Sequence, residues 1–202
     1  MKNEYGETAL YGLIEHQSFY ETDKNTTKKL KILLSLGADM FATNNDGVTI
    51  FDSIERRTTE DPNIRLILRT LALRKIAGLQ PSIELKYERL MEQEDPNLWE
   101  YFQKCIEEIN RMKSTNVFKS CSVFEILTKC QCELELHMRY NEFRRRFRLV
   151  NLSIFHVYVD DINEAFERAE RYYNCVLDQE NLINEALYNF FPEMFVRKGL
   201  VT

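Results

Sequence analysis

Residues 30–52 read LKILLSLGADMFATNNDGVTIFD, and this stretch decides the fold. It begins with the apolar face of a helix, and Gly37 follows where that helix is expected to stop, because glycine takes a left-handed backbone conformation without steric cost. The sequence NNDG at residues 44–47 then predicts a tight turn. Thr49 stands where a hydroxyl can cap a new helix that begins at Ile50. The stretch therefore predicts the junction between two helical repeats.

A second copy of this turn and cap lies near the N-terminus, where Gly6 and Thr8 repeat the spacing of Gly47 and Thr49. Two copies with the same offsets predict two helix–turn–helix repeats. The distance from Gly6 to Gly47 exceeds a common repeat period of about 33 residues. The polar segment 16–27, HQSFYETDKNTT, is expected to form a longer loop between the helices of the first repeat and to account for the excess.

These repeat signals resemble those of the ankyrin family. The segments LLSLGAD (33–39) and NNDGVTIFD (44–52) match the family's LL..GAD and..DG.TPLH motifs. Both caps lack the family's proline and histidine, so the hydrogen bonding that the histidine supports is not expected here. The resemblance implies a scaffold that binds other proteins through its turn tips and the face of its first helices.

Further helix starts can be predicted from capping residues. Asp61 and Asp95 each precede a proline, which is the pattern of an N-cap followed by proline in the first turn. Ser122 with Glu125 three residues later predicts a capping box. One helix is expected to run on from this box through Leu134.

The organisation of the chain is expected to change at residues 78–81, GLQP, which break the repeat pattern. Beyond them, FQKCIEEINRMKSTNV (102–117) and SVFEILTKC (122–130) resemble the region that follows ankyrin repeats in some poxvirus and parasitoid-wasp proteins, often called PRANC. The resemblance implies host-directed work, such as interference with innate-immune transcription-factor signalling. The expected fold class is all-α, with about two ankyrin repeats in residues 1–79 and a PRANC-like helical region in residues 80–202.

In that family, the C-terminal region usually ends in an F-box-like segment thought to recruit a ubiquitin-ligase adaptor. Here the stretch LYNFFPEM (187–194) is followed only by FVRKGLVT (195–202), which is too short for a helical hairpin. We therefore expect the F-box-like segment to be absent. A substrate receptor of a cullin-type ubiquitin ligase is the alternative function if such an end exists.

The composition favours an intracellular protein without metal or cofactor. The formal net charge of the 202 residues is −5, which gives no general attraction to nucleic acid, and no membrane partner is expected. No window of about 18 apolar residues predicts a transmembrane helix, and no apolar signal region begins the chain. Five cysteines, an odd number, favour reduced thiols in a cytoplasmic or nuclear compartment. Cys130, Cys132 and His137 lack the spacing of a zinc finger.

The segment 139–148, RYNEFRRRFR, carries five arginines and is a candidate basic patch. Phe143 and Phe147 are four residues apart and share one helix face, which directs the arginines elsewhere. Charge runs on amphipathic helices are common, and nearby glutamates can balance this one, so a nucleic-acid partner is not expected. The patch consists of Arg144, Arg145, Arg146 and Arg148.

An amphipathic helix is predicted over residues 163–179, with Asp160 or Asp161 as its cap. The preceding segment 153–159, SIFHVYV, is rich in strand-forming residues. Because no partner strand is evident, we interpret it as a buried helix start. The predicted inward face of the helix contains Ile162, Phe166, Ala169, Tyr173, Val176 and Leu177.

We expect a non-enzymatic adaptor or inhibitor that binds another protein. The three histidines lie in no nucleophile elbow, phosphate loop or zinc-protease motif, so no catalytic residue is assigned. Turn tips of stacked repeats offer a rigid surface that costs little entropy on binding. The alternatives are the ligase receptor and nucleic-acid binding through the basic patch. The candidate partner-binding residues are Glu4, Tyr5, Glu7, Asn44, Asn45, Asp46 and Val48.

Overall fold

The computed structural model describes residues 1–15, 24–54, 60–79, 87, 91–92 and 95–190. This part of the chain is predominantly helical and contains one small two-stranded sheet, so the prediction of an all-α fold class is confirmed. The chain divides into two compact units, Met1–Arg111 and Met112–Thr202. The predicted domain boundary between residues 79 and 80 rests on the break in the repeat pattern at residues 78–81 and stays a prediction.

The first unit is built from helices that follow two tight turns. α1 packs against α2 and α3, and α2 packs against α4, where the Thr27 hydroxyl donates a hydrogen bond to the buried Asn63 (2.8 Å). The predicted loop 16–27 ends earlier than expected, because α2 begins at Lys24; residues 16–23 lie outside the described part of the chain. The helices are α1 (Ala9–Glu15), α2 (Lys24–Ser35), α3 (Ile50–Ile54), α4 (Pro62–Ile76) and α5 (Pro96–Ser114), whose last turn passes into the second unit.

Both aspartates that precede a proline cap their helices. The Asp61 carboxylate accepts a hydrogen bond from the N–H of Asn63 (2.8 Å). The Asp95 carboxylate accepts from the N–H groups of Asn97 and Leu98 (3.1 Å each). Both predicted helix starts are confirmed. They could be read from the sequence because a cap depends on only three or four neighbouring residues.

α2 and α4 end in the same way. Gly37 (φ +84°) and Gly78 (φ +69°) take the left-handed conformation and turn the chain out of each helix, which confirms the predicted stop at Gly37. The two stops are as far apart as Gly6 and Gly47, so the stretch from turn glycine to stop glycine has the same length in both repeats. The segment 16–27 is therefore not an insertion specific to the first repeat. The closing bonds are Gly37 N–H to Leu34 O (3.1 Å), Ala38 N–H to Leu33 O (3.0 Å), Gly78 N–H to Lys75 O (3.2 Å) and Leu79 N–H to Arg74 O (3.0 Å).

An aromatic cluster closes the core of the first unit beside the second turn. The ring of Phe51 lies 5.0 Å from that of Phe41 and 5.1 Å from that of Tyr87. The Thr49 hydroxyl donates to the Asp52 carboxylate (2.8 Å) and lies 2.9 Å from the Tyr87 hydroxyl, so Tyr87 is the donor in that second bond. Asp52 also accepts from the N–H of Thr49 (2.6 Å), so the start of α3 is held by this carboxylate, and the predicted cap by the Thr49 hydroxyl is wrong. Other buried side chains are Leu10, Ile14, Leu30, Met40, Ile50, Ile64, Ile67, Leu68 and Leu71.

The second unit begins with a short antiparallel hairpin that the sequence did not predict. Asn116 pairs with Ser122, and the Asn116 side-chain amide donates to the carbonyl of Lys119 (2.8 Å) and closes the turn. The predicted capping box follows and is confirmed, since Ser122 N–H donates to the Glu125 carboxylate (2.6 Å) and Glu125 N–H to Ser122 Oγ (3.4 Å). The elements of this unit are β1 (Asn116–Phe118), β2 (Cys121–Ser122), α6 (Val123–Thr128), α7 (Gln131–Met138), α8 (Asn141–Leu149), a 3₁₀ turn (Leu152–Ile154) and α9 (Val159–Phe190).

The single helix predicted to run through Leu134 is wrong, because the chain forms two helices there. α6 ends at Thr128, and the backbone of Lys129 and Cys130 is extended (ψ 149° and 162°). The Glu133 carboxylate accepts a hydrogen bond from the N–H of Cys130 (3.2 Å), which starts a new helix. This bond satisfies the Cys130 N–H at the start of the second helix. The chain can therefore begin a new helix where one continuous helix was predicted.

The interpretation of residues 153–159 as a buried helix start is also wrong. The segment forms the end of the 3₁₀ turn and a following turn, in which Phe155 and Tyr158 are buried while its other residues are exposed or half-buried. Because α9 begins at Val159, Asp160 and Asp161 lie inside its first turn and not at its cap. Their charges there face the positive end of the helix dipole.

The inward face of α9 ends earlier than the sequence predicts. Ile162, Phe166 and Ala169 are buried, as expected, and α9 packs against α6 and α7. Tyr173 and Val176 are half-buried, whereas Leu177 is 38% exposed, so the inward placement of Leu177 is wrong. Helical periodicity identifies an apolar face but does not say how far a neighbour covers it. Apolar side chains exposed farther along are Leu182, Ile183, Leu187, Tyr188 and Phe190.

Candidate functional site

The two tight turns of the first unit have the same internal hydrogen bonds. Asn3 begins the first turn and Asn44 the second, and each is followed by a glycine, Gly6 (φ +75°) or Gly47 (φ +77°). Each asparagine side-chain oxygen accepts from the backbone two and four residues later, so the side chain holds the turn closed. The bonds come from the N–H groups of Tyr5 (3.0 Å) and Glu7 (2.9 Å) to Asn3, and of Asp46 (3.0 Å) and Val48 (2.9 Å) to Asn44.

The second turn is bonded directly to the first. The backbone N–H of Asn45 donates to the carbonyl of Tyr5 (3.0 Å), and its side-chain amide donates to the carbonyl of Glu4 (3.0 Å). The Lys2 ammonium donates to the carbonyl of Thr43 (2.8 Å) beside them. Three hydrogen bonds across about 40 residues of sequence therefore fix the turns against each other.

This close approach leaves no room for a side chain at Gly6. A Cβ built there would lie 2.7 Å from the backbone nitrogen of Asn45 and would meet the Asn45 side-chain oxygen as well. The equivalent position on Gly47 has no atom within 4 Å. Glycine is therefore required at position 6 for two reasons, its positive φ and the close approach of the neighbouring turn. At position 47 it is required only by its positive φ.

We call residues 3–7 and 44–48 the turn ledge. Three of the predicted partner-binding side chains build this ledge. Asn45 bridges the two turns, and Asn44 holds its own turn while its amide donates to the Tyr11 hydroxyl (3.3 Å). Glu7 is half-buried and accepts from the Asn3 amide (2.8 Å). These residues position the surface and leave contact with a partner to others.

Three of the four remaining predicted side chains are presented outward. Glu4, Tyr5 and Asp46 are exposed, and Tyr5 reaches 63% exposure, which is unusual for a large aromatic side chain. Val48 is half-buried and supports the second turn. The ledge thus carries an aromatic ring and two carboxylates. An open depression of about 440 Å³ adjoins the first turn and is lined by Met1, Lys2, Asn3, Glu7, Thr8, Ala9 and Gly12.

Arg74 joins α4 to the end of α2, from which the second turn departs. Its guanidinium donates to the carbonyls of Leu34 and Ala38, the latter at 2.9 Å, and so satisfies acceptors that a helix end leaves open. Burial lowers the pKa of Arg74, and the carboxylate of Asp39 acts in the opposite direction. The group nevertheless stays charged, because an arginine pKa begins far above neutral pH.

The candidate basic patch lies on α8, where its arginines are paired with glutamates. The Glu142 carboxylate binds both Arg145 (2.9 Å) and Arg146 (2.7 Å). Arg148 binds Glu170 on α9 (2.9 Å). The two guanidinium groups hold the pKa of Glu142 down, at about 2, so this carboxylate is ionised at neutral pH.

Arg144, the fourth arginine of the patch, is half-buried and contacts α7, α8 and α9. It donates to the carbonyl of Met138 and to the side-chain oxygen of Asn141, and it lies over the ring of Tyr173 at 5.0 Å. Phe143 is buried, which agrees with the predicted apolar face of this helix. Each of the four arginines thus has a partner within the second unit, and the side chains of Arg145, Arg146 and Arg148 are at the same time exposed to solvent.

The described part of the chain contains neither a metal-binding cluster nor a membrane-spanning helix. No group of three or more His, Cys, Asp and Glu side chains there is arranged to hold a metal ion. The His137 ring lies 3.3 Å from the Lys129 ammonium, and burial together with that charge lowers its pKa. No described helix is both long and apolar enough to cross a membrane.

Two residues that build the turn ledge, Asn3 and Lys2, were not predicted from the sequence. Asn3 had a readable signal, because it precedes Gly6 at the offset at which Asn44 precedes Gly47. Lys2 had none, since its partner Thr43 is distant in sequence.

Comparisons with protein-family models, with curated proteins and with solved structures found no match for this chain.

Proposed function

We propose that this chain is a non-enzymatic adaptor or inhibitor whose turn ledge binds a basic segment of another protein. In this proposal residues 1–79 are of the ankyrin-repeat type, and residues 80–202 are PRANC-like. The observation that carries the proposal is the bonding of the two turns through Asn45, which fixes an exposed surface bearing Glu4, Tyr5 and Asp46.

Preorganisation is the first argument for a binding role. The backbone of each turn is closed by its own asparagine, and the two turns are held together by Asn45 and Lys2. A surface that is already ordered loses little conformational entropy when a partner binds. The hydrogen bonds that hold the two exposed turn tips in place therefore suit the turn ledge to binding a partner.

The chemistry of the ledge supports the choice of partner. The carboxylates of Glu4 and Asp46 lie on adjacent turn tips, on a protein of net charge −5. Tyr5 offers a ring face, on which an arginine or lysine can stack. Complementary charge gives specificity and a faster encounter, so a lysine- or arginine-rich segment fits this surface. The PRANC resemblance makes host signalling proteins the first group in which to look for it.

The test compares partners of the full chain before and after the ledge chemistry is removed. A tagged chain carrying Glu4→Gln, Tyr5→Ala and Asp46→Asn is expressed beside the wild type in host cells, and co-purified proteins are quantified by mass spectrometry. We expect at least one wild-type partner to fall by about tenfold or more, as removing hot-spot side chains does. All three side chains are exposed, so the melting temperature should not change.

A matched control variant makes the same chemical changes on α9. It carries Tyr172→Ala, Asp178→Asn and Glu185→Gln, all exposed positions, and it should keep the partners of the wild type. Retention of every partner by the ledge variant contradicts the proposal, and so does an equal loss by both variants.

A further inference from the structure

Cys130 and Cys132 bring two thiols together at the start of α7. Both side chains are exposed, and their sulfur atoms lie 2.6 Å apart. Cys130 occupies the N-cap, and Cys132 lies in the first turn of the helix. The pKa of Cys132 is raised, chiefly by the neighbouring Cys130 thiol.

The other three cysteines of the chain differ from this pair. Cys105 and Cys121 are buried, so a small disulfide in solution does not reach their sulfur atoms, and burial also raises the pKa of Cys121 to about 11. Cys175 is exposed on α9, with the amide of Gln179 at 4.0 Å from its sulfur. Cys175 is therefore a single exposed thiol with which the pair of Cys130 and Cys132 can be compared.

We propose that Cys130 and Cys132 are a redox-active dithiol that a small-molecule disulfide of the glutathione class oxidises to an intramolecular disulfide. The inference goes beyond the proposed function and does not depend on it. It assigns a role as a modification site to Cys130 and Cys132, whose Cys-x-Cys spacing does not fit a zinc finger.

The reaction balances in two exchange steps. One protein thiolate attacks the small disulfide, forms a mixed disulfide and releases one small thiolate. The other protein thiolate attacks the protein sulfur of the mixed disulfide, closes the Cys130–Cys132 bond and releases the second small thiolate. Two electrons pass from the protein sulfurs to the small disulfide, and the two thiol protons go to the released thiolates.

The folded chain favours the closing step. The sulfurs need to approach from 2.6 Å to a bond length of about 2.05 Å, which is a small displacement. In the unfolded chain, by contrast, the same two side chains sample many separations, and closing the ring costs conformational entropy. The structure around α7 therefore holds the second thiol close to the site of the mixed disulfide.

The experiment measures the equilibrium between dithiol and disulfide in the full chain carrying Cys175→Ser. The protein is incubated in buffers of reduced and oxidised glutathione at several ratios, quenched with acid and mapped by mass spectrometry. The expected product is a Cys130–Cys132 peptide that has lost two hydrogens. Its equilibrium constant should be at least about tenfold larger in native buffer than in guanidinium chloride, a ratio that corresponds to a resolvable difference in redox potential.

Two controls define the outcome. Cys132→Ser should convert the product into a glutathione adduct at Cys130, and Cys175 of the wild type should form such an adduct under the same conditions. Stable glutathione adducts on both Cys130 and Cys132 of the folded chain would overturn the proposal. An equal equilibrium constant in native and denaturing buffer would overturn it as well.

Discussion

Asn45 occupies the space that a side chain on Gly6 would need, although the two residues belong to different turns. Its backbone nitrogen would lie 2.7 Å from a Cβ on Gly6, and its side-chain oxygen borders the same space. The bonds that bring it there run to the carbonyls of Glu4 and Tyr5. Through this contact the two turns form one continuous surface, the turn ledge.

The first prediction compares alanine substitutions at the two turn glycines. Gly47→Ala should cost about 1–2 kcal/mol, because alanine is strained at positive φ but meets no neighbour there. Gly6→Ala carries the same strain and also forces the turns apart, which should add about 1–3 kcal/mol. Urea denaturation of the two variants measures the difference. Equal shifts of the midpoint would show that the turns are not in close contact.

The second prediction concerns the arginine between α2 and α4. Arg74→Met keeps the aliphatic stem but leaves the carbonyls of Leu34 and Ala38 without their charged donor, and it should cost about 2–4 kcal/mol. The control Arg148→Met removes an exposed pair with Glu170 and should cost less than about 1 kcal/mol. Guanidinium denaturation ranks the two variants. The account of the helix end is wrong if Arg148→Met is the more damaging substitution.

The third prediction is a titration of Glu142. Its folded pKa of about 2 lies below its ordinary value of about 4.3, because Arg145 and Arg146 bind the carboxylate. A depressed carboxyl pKa contributes stability that is present above the unfolded pKa and is lost as pH falls toward 2. NMR of the side-chain carboxyl carbon measures the midpoint, which salt should raise because the group is exposed.

Two variants separate the cause of that shift. Arg145→Ala with Arg146→Ala should return the Glu142 pKa toward its ordinary range, whereas Arg148→Ala should leave it low, because Arg148 binds Glu170. A Glu142 midpoint near 4 in the wild type would mean that these ion pairs do not persist in solution.

The fourth prediction is that the arginines of α8 do not make a nucleic-acid site. Arg145, Arg146 and Arg148 are bound to carboxylates, and Arg144 lies over Tyr173, so a phosphate would have to compete with partners already in place. Fluorescence anisotropy with labelled single- and double-stranded oligonucleotides at low salt should show no specific binding. Salt-dependent affinity that disappears when these four arginines become alanine would favour the nucleic-acid alternative.

Local signals in the sequence predicted local structure well. The caps at Asp61 and Ser122 and the stop at Gly37 each depend on bonds within a few residues, and each is confirmed. Where two local signals compete, the sequence did not show which one prevails. The acidic cap of Glu133 at Cys130 starts a new helix where apolar periodicity would have continued the previous one.

Relationships between distant residues could not be predicted in the same way. Nothing in the sequence near Asn45 indicates that its amide binds the carbonyl of Glu4, because that contact is made only when the repeats pack. The outward half of α9 is a similar case. Leu177 and Leu187 continue the apolar periodicity of Phe166, but burial ends before them because covering a face requires a neighbour.

The central claim, that the turn ledge binds a basic protein segment, is tested most directly by cross-linking from Tyr5. A chain carrying the photo-reactive p-benzoylphenylalanine at this position is irradiated in host cells, and a second chain carries it at Tyr172 on α9, which is also exposed. We predict a discrete cross-linked protein from position 5, attached through a lysine- or arginine-rich peptide, and lost when Glu4→Gln and Asp46→Asn are added. Cross-links from position 172 only, or an acidic peptide joined to position 5, would contradict the account.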